Sequence, residues 1–155
     1  MSDYILDLRK LVGRRPLMQV GASVIVVNDR GEMLLQLRSD NRCWSYAGGS
    51  VELFERVEET AVRELKEECG LTARSLTLYG VFSGPECHYV YPNGDEVSCV
   101  DIVFQCQDYE GTVCPQPGEV EELRFFAPDR LPEPLSPPTA HVIRRFAQER
   151  LKQGA

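Results

Sequence analysis

The chain has 155 residues, of which 43% are hydrophobic and 26% are charged. This length fits one domain of ordinary size, which can bury a hydrophobic core without disulfides to stabilise it. The formal net charge is −7. That charge argues against a long nucleic acid as partner, because non-specific binding to a phosphate backbone requires a basic surface.

The sequence has no apolar run of membrane-spanning length, and its N-terminus, MSDYILD, has neither a basic flank nor a long apolar stretch. We therefore expect no signal peptide, no membrane contact and a cytoplasmic location. The six cysteines form no C-x-x-C pair. This spacing disfavours a zinc site and, with no secretion signal, predicts reduced and mostly buried thiols.

The first half of the chain reads as a helix, two strands and a second helix. Segment 1–13 is predicted to be a helix capped by Ser2. Two strands, 17–28 and 32–38, are joined by a hairpin turn at Asn28-Asp29-Arg30-Gly31. Residues 55–69 carry apolar side chains at helical spacing, and Gly70 stands where a left-handed cap belongs.

The second half contains more strands and a last helix. Strands are expected at 76–82, 97–107 and 123–127, with a turn at 91–95 and a proline-containing surface loop at 112–118. An amphipathic helix is expected at 139–153. Because strands dominate and two or three helices must cover them, we expect one layered domain over residues 1–155, an α/β or α+β sandwich.

Three glutamates stand out on the central helix. At about 100° per residue, Glu64, Glu67 and Glu68 occupy an arc about 100° wide on one face. Like charges at this spacing destabilise an isolated helix. A divalent cation such as Mg²⁺ would offset that cost, because it prefers carboxylate oxygens. The alternative is a solvated acidic face, in which Arg63 forms ordinary ion pairs with its neighbours.

The residues before this helix favour the metal site. Gly48 and Gly49 predict a tight loop that exposes backbone carbonyls and amides close to the helix. Residues 49–71 match, at every fixed position, the pattern G-x5-E-x7-R-E-U-x-E-E-x-G-U, in which U is aliphatic. This pattern is the Nudix box, and the sequence therefore resembles the Nudix hydrolase family.

The resemblance implies an α/β/α sandwich around a mixed β-sheet, with the box forming a loop, a helix and a loop. It implies that Glu64, Glu67 and Glu68 bind Mg²⁺ or Mn²⁺, with the carbonyl of Gly48 as a further ligand. Arg63 resembles the residue that orients the carboxylates. Glu55 resembles the box glutamate that supports the loop or a second metal ion.

The sequence departs from the family pattern beside the box. Ala47 stands where many members have proline, Phe54 where many have glycine, and Arg56 where many have serine or threonine. Phe54 matters most, because a bulky residue does not readily adopt a positive φ. These changes leave the predicted metal ligands intact and put the loop geometry in question.

The catalytic base and the substrate contacts are less defined. Glu119 is a candidate base, as are Glu121 and Glu122, although each could be a solvated loop carboxylate. Arg38 and Arg42 could hold a substrate phosphate or be surface charges. Trp44 could stack on a base or be a buried aromatic residue.

The sequence thus predicts a metal-dependent hydrolase of a pyrophosphate bond in a small nucleotide-type substrate. The leading classes are a nucleoside diphosphate linked to another group, such as ADP-ribose, and a nucleoside triphosphate. The alternative is a catalytically idle domain that binds a nucleotide-like metabolite as a sensor, although no box carboxylate is missing. The sequence leaves the oligomeric state open and is compatible with a homodimer.

Overall fold

The computed structural model describes residues 3–154, within which the chain forms three α-helices and ten β-strands. The helices are α1 (Tyr4–Val12), α2 (Val57–Cys69) and α3 (Pro137–Gln153). In chain order, the strands are β1 (Leu17–Val26), β2 (Met33–Arg38), β3 (Trp44–Ser45), β4 (Ala47–Ser50), β5 (Leu71–Ala73), β6 (Thr77–Phe82), β7 (His88–Val90), β8 (Glu96–Cys106), β9 (Tyr109–Gly111) and β10 (Val120–Phe126). A short 3₁₀ turn, Pro85–Cys87, precedes β7.

The central sheet is mixed. Its strand order is β4-β1-β8-β6, and β7 also pairs with β8. Strands β1 and β8 run parallel, from Leu17 opposite Val97 to Val26 opposite Cys106, whereas the other pairings in this sheet are antiparallel. A three-stranded sheet, β10-β2-β3, and a two-stranded sheet, β5-β9, complete the fold.

The two faces of the central sheet pack against different helices. Successive side chains of a strand point to opposite faces, so Val24 and Val26 pack with Leu65 of α2, whereas Ile25 packs with Phe146 of α3. Burying one such side chain stabilises the fold by roughly 1.5–3 kcal/mol. The expected α/β/α sandwich around a mixed sheet is confirmed.

Several predicted boundaries shift by a few residues. Ser2 lies outside the described residues, and the carboxylate of Asp3 caps α1 by accepting from the amide of Ile5 at 3.0 Å. Helix α2 begins at Val57, two residues later than predicted. Helix α3 begins at Pro137, two residues earlier than predicted, because proline is tolerated in a first turn that needs no amide donor.

Five short strands were not predicted. β3, β4, β5, β7 and β9 have two to four residues each, which is too short for an alternating pattern to be visible. The last strand, expected at 123–127, runs instead from Val120 to Phe126 and contains an irregularity between Val120 and Glu122.

Within residues 3–154, no helix combines the length and the apolar character needed to cross a lipid bilayer. All six cysteines are free thiols. Cys69, Cys87 and Cys106 are buried. Cys43 and Cys99 are partly buried, and Cys114 is exposed.

The C-terminal caps of α2 and α3 give a matched test of the backbone. Gly70 has a φ of 76°, and a Cβ added there would lie 2.9 Å from the carbonyl oxygen of Thr112. We expect Gly70→Ala to lower the free energy of unfolding by about 1–3 kcal/mol in urea denaturation. Gly154 has a φ of −83° and room for a Cβ, so Gly154→Ala should leave stability unchanged or slightly raised. Equal losses in both variants would contradict this account.

Candidate active site

Helix α2 directs three carboxylates to one cavity beside its buried apolar side chains. Ala61 and Leu65 are fully buried against the central sheet, and Glu64, Glu67 and Glu68 line one cavity. Their surroundings differ: the side chain of Glu67 is 43% exposed, whereas Glu68 is only 9% exposed. The structure therefore brings the three predicted glutamates together but makes them chemically unequal.

Glu68 is held from two sides. One carboxylate oxygen accepts from the backbone amide of Gly48 at 2.8 Å, and the other accepts from the side-chain amide of Gln36 at 2.9 Å. Burial raises the pKa of Glu68 to about 7, and repulsion by Glu64 adds to this rise. Without a cation beside it, this carboxylate is costly to ionise.

Arg63 binds several carboxylates at once. Its guanidinium forms a two-pronged pair with Glu55, with N···O distances of 2.9 and 3.0 Å, and donates to Glu64 at 2.8 Å. A third carboxylate, that of Glu67, lies 3.6 Å away. The same guanidinium also donates to the carbonyl of Ser50 at 3.3 Å, which connects the end of β4 to α2.

Glu55 supports the loop and does not line the cavity. Besides Arg63, it accepts from the hydroxyl of Thr60 at 2.6 Å and from the backbone amide of Glu52 at 3.1 Å. The Arg63 pair is the main reason why the pKa of Glu55 falls to about 2. Beside it, Phe54 adopts a φ of 67° with its ring fully exposed, so the loop has a left-handed conformation here that glycine would adopt more readily.

The glycine pair lies in a strand, which corrects the predicted tight loop. Gly48 and Gly49 belong to β4, where Gly48 pairs with Ser23 of β1 and Gly49 pairs with Ala22. A Cβ at Gly48 would lie within 3.0 Å of Ser23, and a Cβ at Gly49 would lie within 3.0 Å of the Glu64 carboxylate. Glycine is therefore required here by close approach and not by turn geometry.

The cavity beside α2 has a volume of about 520 Å³, which suits a small organic ligand. The carboxylates and Arg38 line one part of it, and polar and aromatic side chains from the opposite face of the sheet line another, including Ser23, Tyr46, Tyr91, Cys99 and Asp101. A second groove of about 630 Å³ lies between α1 and residues 52–55. Its lining is mainly apolar and contains none of the three α2 glutamates named above.

The three predicted substrate contacts have different positions. Arg38 lines the cavity, where it forms a two-pronged pair with Asp40 at 2.8 and 2.9 Å. Arg42 is exposed, binds Glu121 and does not line the cavity. Trp44 is 7% exposed within the core and packs edge-on against Phe126, so the buried alternative describes its position and stacking on a base does not.

Only one of the three candidate bases reaches the cavity. The loop after β9 is fastened to the end of α2, because the amides of Cys114 and Gln116 donate to the carbonyls of Cys69 and Glu68 at 2.8 and 3.2 Å. This places Glu119 in the cavity lining. The remaining two, Glu121 and Glu122, form ion pairs with Arg42 and Arg124.

Two residues at the site were missed in the sequence. Gln36 is buried, with 1% exposure, and binds Glu68. The sequence did contain a signal, since Gln36 is the single polar residue in the apolar run MLLQL. Asp101 lies on β8, opposite Gly21, and lines the cavity. Asp101 is likewise a lone acid in the apolar strand CVDIVF.

The donor atoms of α2 fit a hard divalent cation. Among residues 3–154, no three acidic, histidine or cysteine side chains already converge as a finished ligand set. Glu64 and Glu68 are nevertheless carboxylates whose pKa values are raised mainly by burial, and their repulsion would be relieved by such an ion. Carboxylates are the ligands that Mg²⁺ and Mn²⁺ prefer, although the side chains must rotate to reach one ion together.

The chain is similar to several known proteins. The chain is 31% identical over 136 residues to the ADP-ribose pyrophosphatase of Methanocaldococcus jannaschii, covering 85% of this chain and 76% of that protein. It is 42% identical over 126 residues to a Bacillus subtilis protein provisionally named an 8-oxo-dGTP diphosphatase, covering 81% of this chain and 78% of that protein. The crystal structure of the MutT NUDIX hydrolase from Burkholderia pseudomallei matches with a TM-score of 0.70 and 30% identity, over 84% of this chain and 96% of that one.

A family model for the NUDIX domain matches residues 17–146. This range extends from the start of β1 into α3, and so includes the central sheet, the box and most of the residues that line the cavity. The chain therefore belongs to the Nudix hydrolase family.

Proposed function

We propose that this protein is a divalent-metal-dependent pyrophosphohydrolase of a small nucleotide. Its substrate is a nucleoside diphosphate linked to another group, or a nucleoside triphosphate. The observation that carries the proposal is the convergence of the α2 carboxylates, Arg38 and Glu119 on one cavity of about 520 Å³. The names of the two relatives, which refer to ADP-ribose and 8-oxo-dGTP, support both substrate classes equally.

Glu64, Glu67 and Glu68 are the proposed metal ligands. Gly48 is a further candidate, because a strand residue directs its amide and its carbonyl to the same edge, and the Gly48 amide faces Glu68. Glu55 is assigned to support of the loop, since Arg63, Thr60 and the Glu52 amide occupy its oxygens. Bound Mg²⁺ or Mn²⁺ would neutralise substrate charge and increase the acidity of a water.

Arg38 and Glu119 have distinct proposed roles. Arg38 lines the cavity and is held by Asp40, and the N–H groups that Asp40 does not bind would bind a substrate phosphate. Glu119 is exposed at the rim and is free to approach a water. It would accept a proton as general base. The water oxygen then bonds to phosphorus while the bridging P–O bond breaks, and the proton remains on Glu119.

The first test removes the metal. We expect EDTA to abolish hydrolysis of ADP-ribose and of nucleoside triphosphates, including 8-oxo-dGTP, and added Mg²⁺ or Mn²⁺ to restore it, with release of products followed by chromatography. Full activity in chelator would remove the metal from the proposal. Tight nucleotide binding without any cleavage across the panel would identify a sensor instead of an enzyme.

The second test removes single carboxylates. We expect Glu67→Gln to reduce kcat by on the order of 10²-fold or more, since a metal ligand is lost. Glu119→Gln should reduce kcat by about 10²- to 10⁴-fold through loss of the base. Glu67→Gln should not lower the metal-free melting temperature, because it removes one of several repelling charges.

Glu58→Gln is the matched control, because Glu58 lies on the same helix, is exposed and does not line the cavity. It should retain most of the activity. Wild-type rates in all three variants would show that this cavity is not the active site.

The third test addresses Arg63. We expect Arg63→Lys to lower both the melting temperature and kcat, because an ammonium group cannot replace the two-pronged pair with Glu55 while also binding Glu64. The loss in free energy of unfolding should be on the order of 1–3 kcal/mol. Arg74→Lys is the control, since the Arg74–Glu110 pair is exposed, and it should change neither quantity. The role of Arg63 would be disproved by a variant that matches the control.

A further inference from the structure

Asp101 forms part of the cavity floor away from the α2 carboxylates. It projects from β8 on the same face of the sheet as Ser23 and Tyr46, which both bind it. Its neighbour across the parallel pairing is Gly21. A side chain at Gly21 would begin 3.8 Å from an oxygen of Asp101, so the glycine leaves the space beside the carboxylate open.

The hydrogen bonds of Asp101 leave it able to accept more. The hydroxyl of Ser23 donates to one oxygen at 2.8 Å, and the hydroxyl of Tyr46 donates to the other at 2.7 Å. A carboxylate has about four acceptor sites, so each oxygen keeps one. Among residues 3–154, no arginine, lysine or histidine forms an ion pair with Asp101.

This acceptor shares the cavity with the phosphate-binding end. Ser23 contacts Asp101 and also lies against Gly48, where an added Cβ would be within 3.0 Å of it. The amide of Gly48 in turn binds Glu68. Ser23 and Gly48, which pair across β1 and β4, therefore separate Asp101 from the carboxylates of α2. One nucleotide whose phosphates lie near Glu68 would place its nucleoside beside Asp101.

The hydrogen-bonding groups around Asp101 would select among the nucleobases of possible substrates. In its ionised form Asp101 offers only acceptors, and the hydroxyl protons of Ser23 and Tyr46 are already donated to it. Adenine, cytosine and guanine carry an exocyclic amine that donates hydrogen bonds, whereas a carbonyl oxygen at that position would face the carboxylate and repel it. A site that binds a donor discriminates strongly against an analogue that lacks it.

We propose that Asp101 is a specificity-determining residue that selects nucleotides with an amino-bearing base. This inference rests on the proposed function, because it assumes that the nucleoside of the substrate occupies the same cavity. It goes beyond the box, whose contacts are with phosphate and metal and are common to all nucleotide substrates.

The experiment compares substrates that differ only in amine and carbonyl groups. We expect wild-type protein to cleave CTP over UTP, ATP over ITP and ADP-ribose over its inosine analogue by on the order of 10- to 100-fold in kcat/KM. Asp101→Asn introduces a donor at nearly the same shape, and should abolish or reverse these ratios while thermal melting shows a folded protein. No preference in wild type, or an unchanged preference in Asp101→Asn, would overturn the proposal.

Tyr46→Phe is the control, because it removes a hydrogen bond from Asp101 but keeps the carboxylate. The kcat/KM ratios of this variant should still favour the amino-bearing base. If Tyr46→Phe lost that preference although Asp101 is intact, the result would count against Asp101 as the residue that selects the base. If no substrate is cleaved, the proposed function is wrong, but the proposal for Asp101 is still open to a separate test. Calorimetric binding of CMP against UMP and of AMP against IMP then tests Asp101 alone, and equal affinities would refute it.

Discussion

The guanidinium of Arg63 is the interaction on which the arrangement of the box depends. Glutamates three and four residues apart repel each other on a helix face, and this cation lies within 4 Å of two of them, Glu64 and Glu67. The same group holds Glu55 in a two-pronged pair and reaches the carbonyl of Ser50. Strand, loop and helix are thus joined at one planar cation, and its geometry fixes where the carboxylates can stand.

The close approach of β4 to α2 adds a second constraint. It requires glycine at position 49, since a Cβ there would collide with Glu64, whereas the absence of a side chain at Gly48 leaves room for Ser23 of β1. The approach allows the Gly48 amide and Gln36 to bind Glu68 in a nearly dry position. A carboxylate with a pKa near 7 remains partly protonated at neutral pH, and a divalent ion would favour its ionised form.

The cavity combines two kinds of recognition in an acidic protein. Phosphates and carboxylates repel each other, so the α2 end would depend on cations, namely a metal ion and Arg38, to attract a substrate. Under our proposal, the Asp101 end would face the uncharged part of a nucleotide, where hydrogen bonds can distinguish one base from another. Residues at the first end serve every nucleotide substrate equally, which is why membership of the family leaves the substrate open.

The sequence by itself determined the chemistry of the helix. The spacing of Glu64, Glu67 and Glu68, and the left-handed cap at Gly70, follow from local geometry that 3.6 residues per turn imposes. The sequence likewise predicted the strands at 17–28 and 32–38, which correspond to β1 and β2.

Only the tertiary structure decided which of several equivalent polar residues enter the site. Glu119 lines the cavity and Glu121 does not, because two backbone hydrogen bonds fasten the loop 112–119 to the end of α2. Arg38 points to the cavity wall, whereas Arg42 pairs on the surface. Asp101 reaches the cavity because β8 pairs in parallel with β1. In this pairing Asp101 lies opposite Gly21, which is eighty residues earlier in the sequence. Such contacts depend on chain segments that are distant in sequence, and no local pattern encodes them.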